Sequence, residues 1–213
     1  MNMETMTRSL DARINAMMSV LIRPNRTFSE IAGNHKGYFV AAIALLAISS
    51  FFFVNYTTEE LDPVLSINEM GYVLDARYQA ESFGKSVFWN ILSIVLIFYI
   101  GMRIGGSNSF RKVFSVMAFA MIPVLVGGIT LHIFFTYPPL LEGITGIGKE
   151  SPEFAGLFWP LYFAFMIFAL WSFVLTIKAI KIVDKISTAK AFGILLASVV
   201  AIYFVNLAIT FAL

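Results

Sequence analysis

The chain has 213 residues, of which 59% are apolar and 13% charged, with a formal net charge of +2 and no cysteine. An ordinary soluble domain is about 45–50% apolar and about 25% charged, so this composition excludes a water-soluble globular protein. The missing cysteines exclude a disulfide scaffold and thiol chemistry, and nothing in the charge balance marks a partner of the nucleic-acid type.

In chain order the first element is an amphipathic helix. Met6, Leu10, Ile14, Met17 and Leu21 recur every three or four positions, with Arg8, Asp11, Arg13 and Asn15 between them. Such a helix suits the headgroup region of a leaflet, where each basic side chain near anionic lipid contributes about 1 kcal/mol. Pro24 is expected to stop it, and Thr27 with Glu30 has the spacing of a capping box that opens a second short turn. The segment 1–36 is therefore expected to be a cytoplasmic amphipathic leader rather than a cleavable signal, because five basic residues precede a late apolar run.

Five charge-free windows follow, at 37–58, 86–102, 113–141, 154–177 and 191–213, and they are 22, 17, 29, 24 and 23 residues long. A helix needs about 20 apolar residues to cross a hydrocarbon core of about 30 Å, and its backbone must satisfy itself there. The expected fold is all-α, a polytopic membrane bundle with five transmembrane helices over approximately 37–56, 83–102, 113–136, 157–177 and 191–212. Within the third, Pro123 removes a backbone donor and Gly127 and Gly128 follow one turn later, so a kink is expected. Within the fifth, Gly193, Ala197 and Ala201 form a small-residue stripe at intervals of four, a device for close helix packing in lipid. The first outer loop carries Glu59, Glu60 and Asp62, read as solvated acids, and Pro63 to Tyr78 is expected to form a short outer amphipathic helix.

Orientation comes from the loops. Of the 15 Lys and Arg residues, 12 lie in the N-terminal segment and the second and fourth loops. The positive-inside rule then puts the N-terminus in the cytoplasm and the C-terminus outside. The basic cytoplasmic faces, Arg103, Arg111 and Lys112 on one loop and Lys178, Lys181 and Lys185 on the other, are the expected contacts for anionic lipid or a protein partner.

Enzymatic chemistry finds no foothold. The two histidines, His35 and His132, have no acid or nucleophile at catalytic spacing, and no phosphate loop or metal-ligand pattern occurs. No catalytic residue, cofactor or metal site is expected. Asp, Glu, Lys and Arg are missing from all five windows, and such residues mark ion-coupled transporters.

Three stretches resemble a known family. RPNRTFSEIA at 23–32 is similar to the element preceding the first span in the Yip-one domain family. Gly105-Gly106, Ser109-Phe110 and the run Ala118 to Pro123 resemble its glycine pair, small loop and helix ending in proline. Trp171, Lys178-Ala179 and Ser187 to Ala191 resemble its tryptophan, basic turn and entry into the last helix. The resemblance implies a non-catalytic membrane protein, whose eukaryotic members act in vesicle trafficking and bind Rab-type GTPases. Ala118-Phe119 stands where Gly-Tyr is usual in that family, a D-L-Y-G-P stretch is missing, and the N-terminal segment is short, so a Rab-type partner is not carried over.

The function expected from residues and resemblance together is a membrane scaffold, organiser or trafficking-type factor in a prokaryotic plasma membrane. It would contact lipid, a protein partner or a second copy of itself. The alternative is a small transporter or channel component, with a path near Asn90, Pro123, His132 and Asn206.

Overall fold

A computed structural model of the chain describes residues 3–57, 76–104, 106, 109–136 and 152–212. The acids Glu59, Glu60 and Asp62, most of the outer helix expected over Pro63 to Tyr78, and the side chain of His132 lie outside the described residues. The described residues form eight helices and no strand: α1 (Met3–Ile22), α2 (Pro24–Gly33), α3 (His35–Thr57), α4 (Ala76–Arg103), α5 (Phe110–Ala120), α6 (Ile122–Thr136), α7 (Pro152–Asp184) and α8 (Thr188–Ala212). Three of them are long and apolar enough to cross a membrane, in α4, α7 and α8, and two bent pairs raise the number of spans to five. The protein is an all-helical integral membrane protein, and five spans accommodate every long apolar helix.

The first bent pair is α2 with α3, which turn through 114° at Asn34. With 23 residues, about 34 Å at helical rise, α3 supplies the length of this pair, and the bend carries α2 away from its axis. α2 starts at Pro24, with Arg23 as its N-cap, four residues earlier than the capping-box reading places it. Pro at the first helical position costs no hydrogen bond there, which makes Thr27 an interior residue. Its hydroxyl donates back to the Arg23 carbonyl at 3.0 Å instead of capping.

The second pair is α5 with α6, bent by 41° at Met121. Pro123, fully buried two residues later, has no N–H for the helical ladder. Across the break, the buried Ser172 hydroxyl of α7 donates to the Ala120 carbonyl at 2.7 Å. A side chain from a neighbouring helix thus satisfies backbone at the bend, as a broken helix in lipid requires.

α5 is the centre of the bundle. It packs against α2, α3, α4 and α7, touches α1, and continues into α6. All of Val113 to Ala120 are buried as a result. Aromatic pairs fasten it: Tyr38 meets Phe119 edge to face at 5.7 Å, Phe39 meets Phe114 at 5.4 Å, and Phe98 meets Phe110 at 5.6 Å. Such pairs add about 0.5–1.5 kcal/mol each beyond area burial. The buried Ser115 hydroxyl reaches the His35 carbonyl at 3.4 Å, pinning the α2–α3 turn.

α8 differs, because among the described helices it packs chiefly on α4 and α7. Its inward face is Ala191, Ile194, Leu195 and Ser198. Gly193 and Ala197 point away from the bundle, and a Cβ built on Gly193 would meet nothing within 4 Å. Gly193 and Ala197 of the expected stripe are therefore not used for close approach among the described helices, while Ala201 is half-buried. Close approach occurs instead at Gly127 of α6, where an added Cβ would lie 3.0 Å from the Phe165 ring and 3.2 Å from Phe168 of α7. Gly128, its neighbour, is also buried.

α1 also departs from a simple one-sided amphipathic helix. Ala16 and Val20 are buried against the bundle, Met17 and Leu21 are half-buried, and Ile14, Met18 and Ile22 form an exposed stripe at intervals of four. Its second half is apolar nearly all round, so one side packs on protein and the other faces the surroundings.

Candidate functional site

One end of the bundle gathers most of the described basic residues: the ends of α4 and α7, the starts of α3, α5 and α8, and the α1–α2 unit folded beside them. α2 covers the inner part of this end, its Phe28 and Ile31 fully buried against α5 and α7. What remains accessible is a rim of cations and rings.

Three cations lie over aromatic faces. The Arg103 guanidinium sits 5.3 Å from the Tyr99 ring centre, and its Nη2 donates to the Tyr99 hydroxyl at 2.8 Å. Arg111 sits 5.5 Å from the ring of Phe39, and the Lys178 ammonium 5.6 Å from the indole of Trp171. Each contact contributes about 0.5–1 kcal/mol at exposed sites and more where water is excluded. The aliphatic stems cover apolar surface while the heads stay near water, as expected of cations at a membrane boundary.

Of the six basic residues singled out by sequence, these three are held by rings. Lys112 is half-buried and engaged by neighbours. Lys181 and Lys185 are exposed. Lys185 is also a helix cap: at φ 54° it takes the left-handed position after α7, and the Ile186 N–H closes back on the Lys181 carbonyl at 3.2 Å. The six belong to one end of the bundle.

Sequence reasoning missed the residue that ties this end together. The Asp184 carboxylate lies in a notch made by Gly101 and Gly106. A Cβ on Gly101 would lie 2.7 Å from Asp184 Oδ2, and one on Gly106 would lie 2.7 Å from Oδ1. The Gly106 N–H closes on the Gly101 carbonyl at 2.9 Å, folding the end of α4 into the notch. A carboxylate at a helix C-terminus opposes the helix dipole, so α7 gains nothing from an acid here. The signal available in sequence was an isolated acid within a lysine-rich turn, opposite a glycine pair.

Higher in the bundle, polar residues act between helices. The Asn90 amide of α4 donates to the Ser50 hydroxyl of α3 at 2.9 Å. Ser49 and Ser86 on the same two helices bury hydroxyls that have no protein partner. Ser198 returns its hydroxyl to the Ile194 carbonyl at 2.8 Å, and Asn206 is exposed. Among the described residues, no group of three or more His, Asp or Glu is placed to hold a metal ion.

Comparison with curated proteins and with solved structures found no match. The family model of the Yip1 domain matches residues 18–209, from the second half of α1 to the last turns of α8. One family model thus spans nearly the whole bundle, and the chain belongs to the Yip1 domain family of integral membrane proteins.

Proposed function

We propose that this protein is a non-catalytic organiser of the cytoplasmic leaflet, a trafficking-type factor that works by holding lipid or protein partners at its basic end. The N-terminus and the basic end face the cytoplasm, and the C-terminus lies outside. A prokaryotic plasma membrane fits the cysteine-free chain and its short loops.

The observation that carries this reading is the pairing of exposed cations with an apolar helix at one end. Lys181 and Lys185 are open to anionic headgroups, while Ile14, Met18 and Ile22 of α1, which packs on α2, present exposed apolar surface. Attraction of a basic segment to anionic lipid and burial of an apolar stripe reinforce each other at an interface. The ring-held cations Arg103, Arg111 and Lys178 set the depth of the bundle, and Lys181 and Lys185 recruit.

Replacing Lys178, Lys181 and Lys185 together by glutamine is expected to reduce retention of anionic lipid by the purified protein. Unchanged retention would remove the lipid arm of the reading. Crosslinking in native membranes, read by mass spectrometry, should then identify protein partners at this end. A C-terminal reporter active only in the cytoplasm should stay silent, and liposomes containing the protein should show no solute flux above empty ones.

A further inference from the structure

An apolar groove of about 250 Å³ runs between α1 and α3. Its floor is Ala41 and Leu45, both buried in the bundle. Met17 of α1 forms one wall, and Val40, Ala44 and Ile48 of α3 form the other. Val40, Ala44 and Ile48 are exposed, so the groove opens sideways, toward where lipid lies around a spanning helix. Among the described residues, Arg13 is the one charged residue that lines it, half-buried at the level of Tyr38. The Glu30 carboxylate and the Arg13 guanidinium both act on the Tyr38 hydroxyl, so a basic, an acidic and a phenolic group meet at this mouth.

The geometry points to a phospholipid site: an acyl chain of one anionic glycerophospholipid lies in the groove, with its phosphate on Arg13. Two matches carry this. From Val40 to Ile48 the α3 wall is about 12 Å long, close to the roughly 15 Å of hydrocarbon in a single leaflet. Charge also matches, because the described lining is otherwise apolar and its cation, Arg13, stands at the mouth, while the nearby Glu30 carboxylate is taken up by the Tyr38 hydroxyl. The lipid fills the gap between a helix packed on α2, α5 and α6 and the span beside it, and so fastens α1 to the bundle. This extends the organiser reading to a defined molecule, at residues independent of the lysines of α7.

The test uses the full chain, reconstituted with phosphatidylglycerol that carries a photoreactive group on an acyl chain. Adducts are expected on Met17, Val40 and Ile48 well above those on Tyr203 and Phe204, which are exposed on α8. Equal labelling of both faces would mean annular lipid only and would overturn the site. Native mass spectrometry supplies the second arm, with phosphatidylglycerol and phosphatidylcholine as probes. Arg13→Gln should weaken retention of phosphatidylglycerol by about tenfold, or about 1.4 kcal/mol, and leave phosphatidylcholine unchanged. Ala44→Trp fills the groove from an exposed position and should lower retention of both. Unchanged retention in Ala44→Trp, or conversion of a dimer into a monomer by it, overturns the proposal, the latter because a second copy would then occupy the groove. Replacement of the α7 lysines leaves groove labelling intact if the two sites are separate, so failure here and failure of the organiser reading give different patterns.

Discussion

α5 and α8 are both strongly apolar, yet they behave oppositely. α5 buries eight consecutive residues, including the polar Ser115, whereas α8 leaves Leu196, Val199, Val200, Tyr203 and Phe204 exposed. In water such an exposed face would be driven inward. In lipid it has no such drive, because the surroundings are as apolar as leucine, and packing and hydrogen bonds decide which side faces protein. Apolarity in this chain therefore reports only that a segment is in the membrane. Neighbour number reports burial: among the described helices α5 packs against most of the others, while α8 packs chiefly on α4 and α7.

The sharpest way to break that contrast is to remove a ring from each helix. Phe119 is fully buried, so Phe119→Ala leaves a cavity and should cost on the order of 3–5 kcal/mol in a reversible unfolding assay in mixed micelles. Phe204 is 61% exposed, and lipid or detergent replaces its ring, so Phe204→Ala should cost almost nothing. A comparable loss at Phe204 would mean that another protein surface covers α8.

Glycines give the next largest effect. Gly127→Ala places a methyl 3.0 Å from the Phe165 ring and should destabilise by about 1–3 kcal/mol, with α6 and α7 moved apart. Gly193→Ala has open space and should be neutral, or gain up to about 1 kcal/mol from helix propensity. The same unfolding assay reads both, and a loss at Gly193 would reveal a helix packed there from another chain.

Ser172→Ala removes the donor that serves the Ala120 carbonyl at the bend and should cost about 0.6–1.5 kcal/mol. Distances between spin labels on α5 and α6 should broaden in that variant. An unchanged distribution would mean that Pro123 and packing hold the 41° bend unaided. The smallest effect is a gain. Lys185 occupies the left-handed region at φ 54°, so Lys185→Gly should stabilise the α7–α8 turn by about 0.5–1 kcal/mol, seen as a higher midpoint in thermal unfolding.

Much of the architecture was legible because charge and length are one-dimensional. A run of about 20 residues without fixed charge has few alternatives to a spanning helix, wherever it later packs. Pro123 announced a break in the third span for a local reason, the missing N–H. What misled was any inference about faces. Gly193 and Ala197 have the spacing of a packing stripe but look outward, while the close approach uses Gly127. Thr27 with Glu30 has the spacing of a cap, but Pro24 starts the helix first. The six basic residues of the candidate site were visible as orientation signals. Their division into ring-held, engaged and exposed depends on partners as distant as Phe39 from Arg111.

By itself the sequence determined which segments lie in lipid and where fixed charge collects, since both follow from transfer free energies that add residue by residue. Only the tertiary structure decided that α5 lies at the centre, that α1 has two faces with a groove behind it, and that the Asp184 carboxylate sits in a notch between Gly101 and Gly106. Those features depend on shape complementarity between helices far apart in the chain, and in an apolar solvent no periodicity of polar and apolar residues encodes it.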